Sequence, residues 1–254
     1  KINNKGRIRK MGRYDGSNIE EVAARTMVLF YLFDKSGSMS GQKIGQVNYA
    51  MKDIPKIIKD VADNAPNANI VVAAAAFSNE IEWITPKPQT PDEFINTWKD
   101  LRAEGLTSLG AALSSLNEKM SRKEFLSDNP MGYFSPGIIL LSDGEPTDDW
   151  ETPLKELNKN NWFKNAIKVA FAVGDDANRD VLTEICGDKE AVISILEPEK
   201  IRQYIKFVTA AVSKTGTTSI TGKSPQQAVN EALAYIDDST PVTVDIPDVD
   251  DDQW

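Results

Sequence analysis

The chain has 254 residues, 41% apolar and 26% charged, a balance that suits a globular protein with one sizeable domain and appendages. Its 29 Lys and Arg face 38 Asp and Glu, a net charge of -9 that makes it a poor general binder of nucleic acid. It has no His and a single Cys, Cys186, which excludes Ser-His-Asp and Cys-His catalysis, imidazole-dependent zinc sites and any intramolecular disulfide.

Residues 1–25 read as a polar arm with Lys5, Arg7, Arg9, Lys10 and Arg13 in its first half. No apolar core follows it where a secretory signal would place one. No run approaches the roughly 18 apolar residues of a membrane span, so a cytoplasmic location is the expectation. Met27–Phe33 is a continuous apolar run, the pattern of a strand covered on both faces. Gly41–Asp63 has helical spacing, and Pro55 within it is expected to kink or loosen the helix. Ile70–Phe77 is the next strand. Ser78-Asn79-Glu80 then turns into Ile81–Ile84, which predicts an antiparallel edge hairpin. Pro86–Pro91 reads as loop and Thr107–Met120 as a helix with Leu109, Leu113 and Leu116 inside. Gly137–Ser142 is a strand, Trp150–Asn158 a polar helix, Ile167–Val173 a strand and Arg179–Cys186 a helix. Val192–Leu196 is a fifth strand, and Glu199–Val212 closes the domain. Cys186 falls on an apolar stretch and is expected in the core.

This alternation specifies an α/β domain over 26–213, with a mainly parallel sheet, one antiparallel edge strand and helices on both faces. Residues 214–254 form a C-terminal extension. It opens on the turn-rich Thr215-Gly216-Thr217-Thr218, lacks Lys and Arg from Ser224 onward, and ends in Asp245, Asp248, Asp250, Asp251 and Asp252.

Ligands on such sheets bind beyond the carboxyl ends of the strands. The first strand ends in Asp34-Lys35-Ser36-Gly37-Ser38, with oxygen-bearing side chains at alternate positions. Ser142-Asp143-Gly144-Glu145 ends a later strand, and Gly105-Leu106-Thr107 brings a hydroxyl to the start of a helix. Asp34, Ser36, Ser38, Thr107 and Asp143 therefore form an all-oxygen donor set suited to a hard divalent cation, Mg²⁺ first, with Mn²⁺ or Ca²⁺ also compatible. Two carboxylates balance such an ion. If they act through water, the hydroxyls form its inner shell and a position stays open for a carboxylate from another molecule. The bland alternative is that Ser38 or Ser40 merely caps the next helix. A phosphate-binding loop is excluded at Gly37–Lys43 because the spacing is wrong and Ile44 replaces the required hydroxyl.

Asp-x-Ser-x-Ser after the first strand, the downstream Thr and the later Ser-Asp-Gly resemble the metal-ion-dependent adhesion site of von Willebrand factor A domains. Leu140-Leu-Ser-Asp-Gly-Glu-Pro-Thr-Asp-Asp-Trp150 and Thr107-Ser-Leu-Gly-Ala-Ala-Leu113 further resemble the bacterial tellurite-resistance, TerY-type branch. The resemblance implies a Rossmann-like doubly wound fold and protein association rather than catalysis. It implies that Ser36, Ser38 and Thr107 bind metal directly, with Asp34 and Asp143 bound directly or through water. It also implies a stress-response setting that includes protein kinases and phosphatases.

The expected function is thus a non-enzymatic adaptor or scaffold that captures a partner's Asp or Glu through a divalent cation, the partner being a kinase, phosphatase or ATPase. Glu145, Asp149 and Trp150 are expected on the rim, where they contribute to partner choice. Thr147 or Asp148 is alternatively a cap for the helix that follows. Asp175 and Asp176 read as turn and cap residues, and Trp83 and Trp98 as core or edge cover. The basic arm is a solvated segment or a contact for an acidic partner. The acidic tail is solubilising, or supplies an Asp to the metal of its own or a neighbouring copy. The enzyme alternative is a Rossmann-like metal-dependent phosphohydrolase with Asp34 as nucleophile. It lacks the second carboxylate two residues on, where Ser36 stands. A structural subunit of a larger assembly is the third reading.

Overall fold

The computed structural model describes residues 24–65, 67–121, 123–126, 132–143, 145–218 and 222–234. The basic arm up to residue 23 and the acidic tail from residue 235 lie outside the described residues, as does Gly144. Six strands form one sheet among the described residues: β1 (Arg25–Asp34), β2 (Ala68–Phe77), β3 (Ile81–Trp83), β4 (Gly137–Ser142), β5 (Ile167–Val173) and β6 (Val192–Ile195). Their order is β3-β2-β1-β4-β5-β6, all parallel except the edge strand β3, which runs antiparallel to β2.

The helices are α1 (Gln42–Asp63), α2 (Pro91–Thr97), α3 (Leu109–Lys119), α4 (Glu151–Leu157), α5 (Asn161–Lys164), α6 (Arg179–Cys186), α7 (Pro198–Thr217) and α8 (Pro225–Leu233). β1 is buried from Met27 to Asp34 because both of its faces are covered. Met27, Leu29, Tyr31 and Phe33 pack with Val47, Met51 and Ile54 of α1 and with Ile205, Val208 and Val212 of α7. Val28, Phe30 and Leu32 pack on the other side with Leu113 and Leu116 of α3, Leu157 of α4 and Ile185 of α6. Cys186 is buried in that second layer, as expected.

Four expectations change. Pro55 does not interrupt α1, which runs through it with Ile54, Pro55, Ile57 and Ile58 all buried. Packing of that face outweighs the hydrogen bond that proline removes. Thr107 lies just before α3 rather than within it, because the helix begins at Leu109. The stretch read as turns at Thr215–Thr218 is helical up to Thr217: Thr217 Oγ1 donates to the Ser213 carbonyl at 2.8 Å, and Gly216 lets α7 close on the Met27 side chain. Finally, α8 returns from the extension to the core, burying Val229 and Leu233 against the α7 side of the sheet. Among the described residues no helix is long and apolar enough to cross a membrane.

Candidate metal centre

β1 continues to β2 on one side, whereas its other neighbour is β4, so the strand order reverses between β1 and β4. The loops leaving adjacent strands diverge at such a point and leave a crevice above the carboxyl ends. Asp34 is the last residue of β1, and Asp143 directly follows β4. Both carboxylates are fully buried.

A chain of short hydrogen bonds links them. Asp34 Oδ1 accepts from the Ser36 backbone N–H at 2.8 Å, and its Oδ2 from Ser142 Oγ at 2.6 Å. Ser36 Oγ lies 3.0 Å from Ser38 Oγ, which donates to Asp143 Oδ1 at 2.7 Å. Asp143 Oδ2 then accepts from Lys43 Nζ at 2.6 Å. Burial pushes the Asp34 carboxyl above the usual carboxylate range. Its bonds from Ser142 and Ser36 oppose that rise, and the neighbouring Asp143 charge adds to it.

The capping alternative for Ser38 and Ser40 fails. Gly41 stands at the N-cap of α1 with no side-chain cap bond, and Ser38 spends its hydroxyl proton on Asp143. The third segment is fastened to the first by two backbone bonds, Gly37 N–H to the Gly105 carbonyl at 3.0 Å and Glu104 N–H to the Lys35 carbonyl at 2.7 Å. Asn79, in the turn between β2 and β3, supports it by accepting from Leu106 N–H at 2.9 Å. Gly105 is required there. Its φ of 81° is left-handed, and a Cβ would meet Asn79 Oδ1 at 2.8 Å. Thr107 is consequently buried beside the crevice, and its carbonyl accepts from Thr147 N–H at 2.9 Å.

The structure therefore brings the Asp34–Ser38 loop, the Thr107 loop and Asp143 to one rim. The donors fit a hard divalent cation: two buried carboxylates and hydroxyls, with no sulfur or imidazole. Among the described residues no three His, Cys, Asp or Glu side chains gather to hold a metal, so the candidate rests on carboxylates combined with hydroxyls.

The expected rim residues fare differently. Glu145 is exposed and accepts from Asn178 Nδ2 at 2.8 Å. Asp149 is exposed, and its carboxylate accepts from Thr152 N–H, which holds it below the usual range. Trp150 is half-buried against the core and so presents only part of its ring. Asp148 caps α3, not the helix that follows it. Its two oxygens accept from Gly110 and Ala111 N–H, each at 2.9 Å. The cap of α6 is Asn178, not Asp175 or Asp176. Trp83 and Trp98 do pack against the two core layers.

Sequence reasoning missed Lys43 and the part played by Ser142. The local signal for Lys43 was a cation in the first turn of a helix with no acid there.

A family profile described as "von Willebrand factor type A domain" matches residues 29–207. The chain belongs to that family. A curated relative, inter alpha-trypsin inhibitor heavy chain 4 of Mus musculus, is 25% identical over 222 residues, 85% of this chain and 23% of the relative. The chain thus spans less than a quarter of that relative's length. Among solved structures, proximal thread matrix protein 1 from the mussel byssus, with a zinc-occupied MIDAS motif, aligns at a TM-score of 0.58 and 18% identity. That alignment covers 76% of this chain and 49% of the other. A von Willebrand factor type A protein from Catenulispora acidiphila aligns at a TM-score of 0.58 and 19% identity, covering 76% of this chain and 43% of the other. At these identities the structural likeness establishes the fold.

Proposed function

We propose that this domain is a non-enzymatic, metal-dependent protein-interaction module, an adaptor or scaffold that captures an acidic side chain of a partner. The observation that carries the reading is the hydroxyl chain joining two fully buried carboxylates at the sheet's switch point. Asp34, Ser36, Ser38, Thr107 and Asp143 would hold the ion, Mg²⁺ being the first choice for an all-oxygen set. The zinc-occupied motif named for the mussel protein supports a divalent cation at this place in the fold. A bound cation supplies a coordination position for an external carboxylate oxygen. The chain's own part is to fix the hydroxyls: Ser142 and the Ser36 amide orient Asp34, Gly105 and Asn79 hold the Thr107 loop, and exposed Glu145 and Asp149 would contribute to partner choice.

The phosphohydrolase alternative gains little. Asp34 has both oxygens engaged and no exposure, which suits a positioning carboxylate and not an attacking one. The wording of Leu140–Trp150 supports the finer reading, a TerY-type system in the bacterial cytoplasm with kinase, phosphatase or ATPase partners.

The test is selection from a library of short peptides, with matched Asp/Asn and Glu/Gln members, in Mg²⁺ and in chelator. The acidic members should bind in Mg²⁺, and lose binding in chelator or on Thr107→Ala. Equal binding of the amide members, or binding indifferent to chelator, contradicts the reading. Phosphate-ester hydrolysis in Mg²⁺ that Asp34→Asn abolishes would instead establish the enzyme.

A further inference from the structure

Lys43 sits in the first turn of α1, whose N-terminal end carries no acidic residue and no side-chain cap. A cation there faces the positive end of the helix dipole, so local physics disfavours it. Its ammonium nevertheless reaches across the crevice to Asp143 Oδ2 at 2.6 Å. Asp143 has no exposure, and the Lys43 side chain is 22% exposed, so solvent screens the pair only in part. The turn after β5 comes close to it: a Cβ on Gly174, whose φ is 104°, would stand 2.8 Å from Asp176 Oδ1 and 3.2 Å from Lys43 Nζ. A residue placed against its local preference and paired across 100 positions serves the centre more than its own helix.

The centre has a need for it. Asp34 and Asp143 are both fully buried and repel each other. Two such carboxylates without a cation are costly, and removing the counter-charge from a buried acid is more costly than either partner's loss at a surface. Lys43 is the ammonium that touches Asp143, at the oxygen not taken by Ser38.

We propose that Lys43 is a tethered counter-cation: it neutralises Asp143 when no divalent ion is bound, and it competes with that ion for the same carboxylate. The inference rests on the metal-binding reading above and adds a regulation to it. The centre loads only at ion concentrations that overcome the lysine, so partner capture becomes conditional on metal supply.

The experiment is calorimetric titration of Mg²⁺ and Mn²⁺ into the chelator-stripped full chain, for wild type, Lys43→Met, Lys43→Gln and the Ser36→Ala/Ser38→Ala control. Thermal unfolding is followed in parallel, in chelator and in saturating Mg²⁺. Both lysine variants should bind the ions more tightly, by about tenfold for loss of one partly buried charge. Both should also unfold at lower temperature than wild type in chelator and recover in Mg²⁺. Equal or weaker affinity in the folded lysine variants overturns the inference while wild-type binding leaves the metal reading standing. That result would make Lys43 a residue that positions Asp143 for the ion. Silence in wild type with binding in the lysine variants supports the competition. Silence in all of them overturns both readings. The Gln variant keeps a donor toward Asp143, so folding does not hang on the Met substitution. Failure of both to fold, unrescued by Mg²⁺, also overturns the inference, because an ion could not then replace the ammonium.

Discussion

Asp34 bears the cost of the centre. Burial lifts its carboxyl above the ordinary range, against the opposing pull of Ser142 and Ser36 and with the help of the Asp143 charge. The folded chain therefore holds the Asp34 proton more tightly than the unfolded chain does. The stability this gives is fully present below the unfolded value and is lost as pH rises through the raised folded value. In chelator, wild type should lose stability relative to Asp34→Asn over that window. At pH 7 the Asn variant should be the more stable by on the order of 1 kcal/mol, the scale of an incompletely compensated buried polar group. Saturating Mg²⁺ should reverse the ranking, because only the carboxylate is a strong ligand. Urea unfolding of both proteins across pH, with and without Mg²⁺, measures this. A difference independent of pH would show that Asp34 is ionised without penalty.

At the scale of elements, the centre depends on how α3 is fastened. Asp148 accepts from the first free N–H groups of α3, and Thr107 lies two residues before that helix. Gly110 permits the approach, since a Cβ there would collide with the Asp149 carbonyl. Asp148→Ala should cost about 1 kcal/mol of stability, as loss of a helix cap does. It should also weaken ion binding several-fold through the Thr107 loop, although Asp148 is no ligand. Urea unfolding and calorimetry on the one variant read both effects, and unchanged affinity would show the loop to be held without Asp148, by Asn79 and the backbone bonds to the Asp34–Ser38 segment.

The elements also differ in how plainly the sequence announces them. β1, β2 and β4 were legible because strands covered on both faces become uninterrupted apolar runs. α2 and α8 were not, since each is short and buries few side chains: Phe94 in one, Val229, Asn230 and Leu233 in the other. Too few apolar positions recur for a helical period to show. Their capping boxes, Thr90 with Glu93 and Ser224 with Gln227, were the available signals. α8 also supplies Gln226, whose amide accepts from Lys168 N–H at 2.7 Å and donates to the Lys168 carbonyl at 3.0 Å. It stands in for a strand partner where β6, whose pairing begins at Ala170, does not reach.

For the whole molecule, the centre is a product of topology. Its candidate donors come from residues 34–38, 107 and 143: adjacency of β1 and β4 joins the first and last, and the backbone bonds of Gly37 and Lys35 to residues 104–105 bring in Thr107. That these segments meet was legible, since Asp34 ends a strand, Asp143 follows one and Thr107 precedes a helix, and the rule about strand ends says where such residues come together. The Lys43–Asp143 pair and the crossing cap of Asp148 were not, because both are set by packing between segments far apart in the chain. The net charge of -9 bears on the proposed function. An acidic protein repels an acidic partner at long range, and on that proposal a locally held cation would convert the repulsion into a specific contact. The most direct test of this account is calorimetric titration of Mg²⁺ and Mn²⁺ into chelator-stripped wild type and Ser36→Ala/Ser38→Ala. The account predicts one binding site in wild type, lost in the folded double variant. Binding that survives the double substitution, or no binding by folded wild type and the folded Lys43 variants alike, would contradict it.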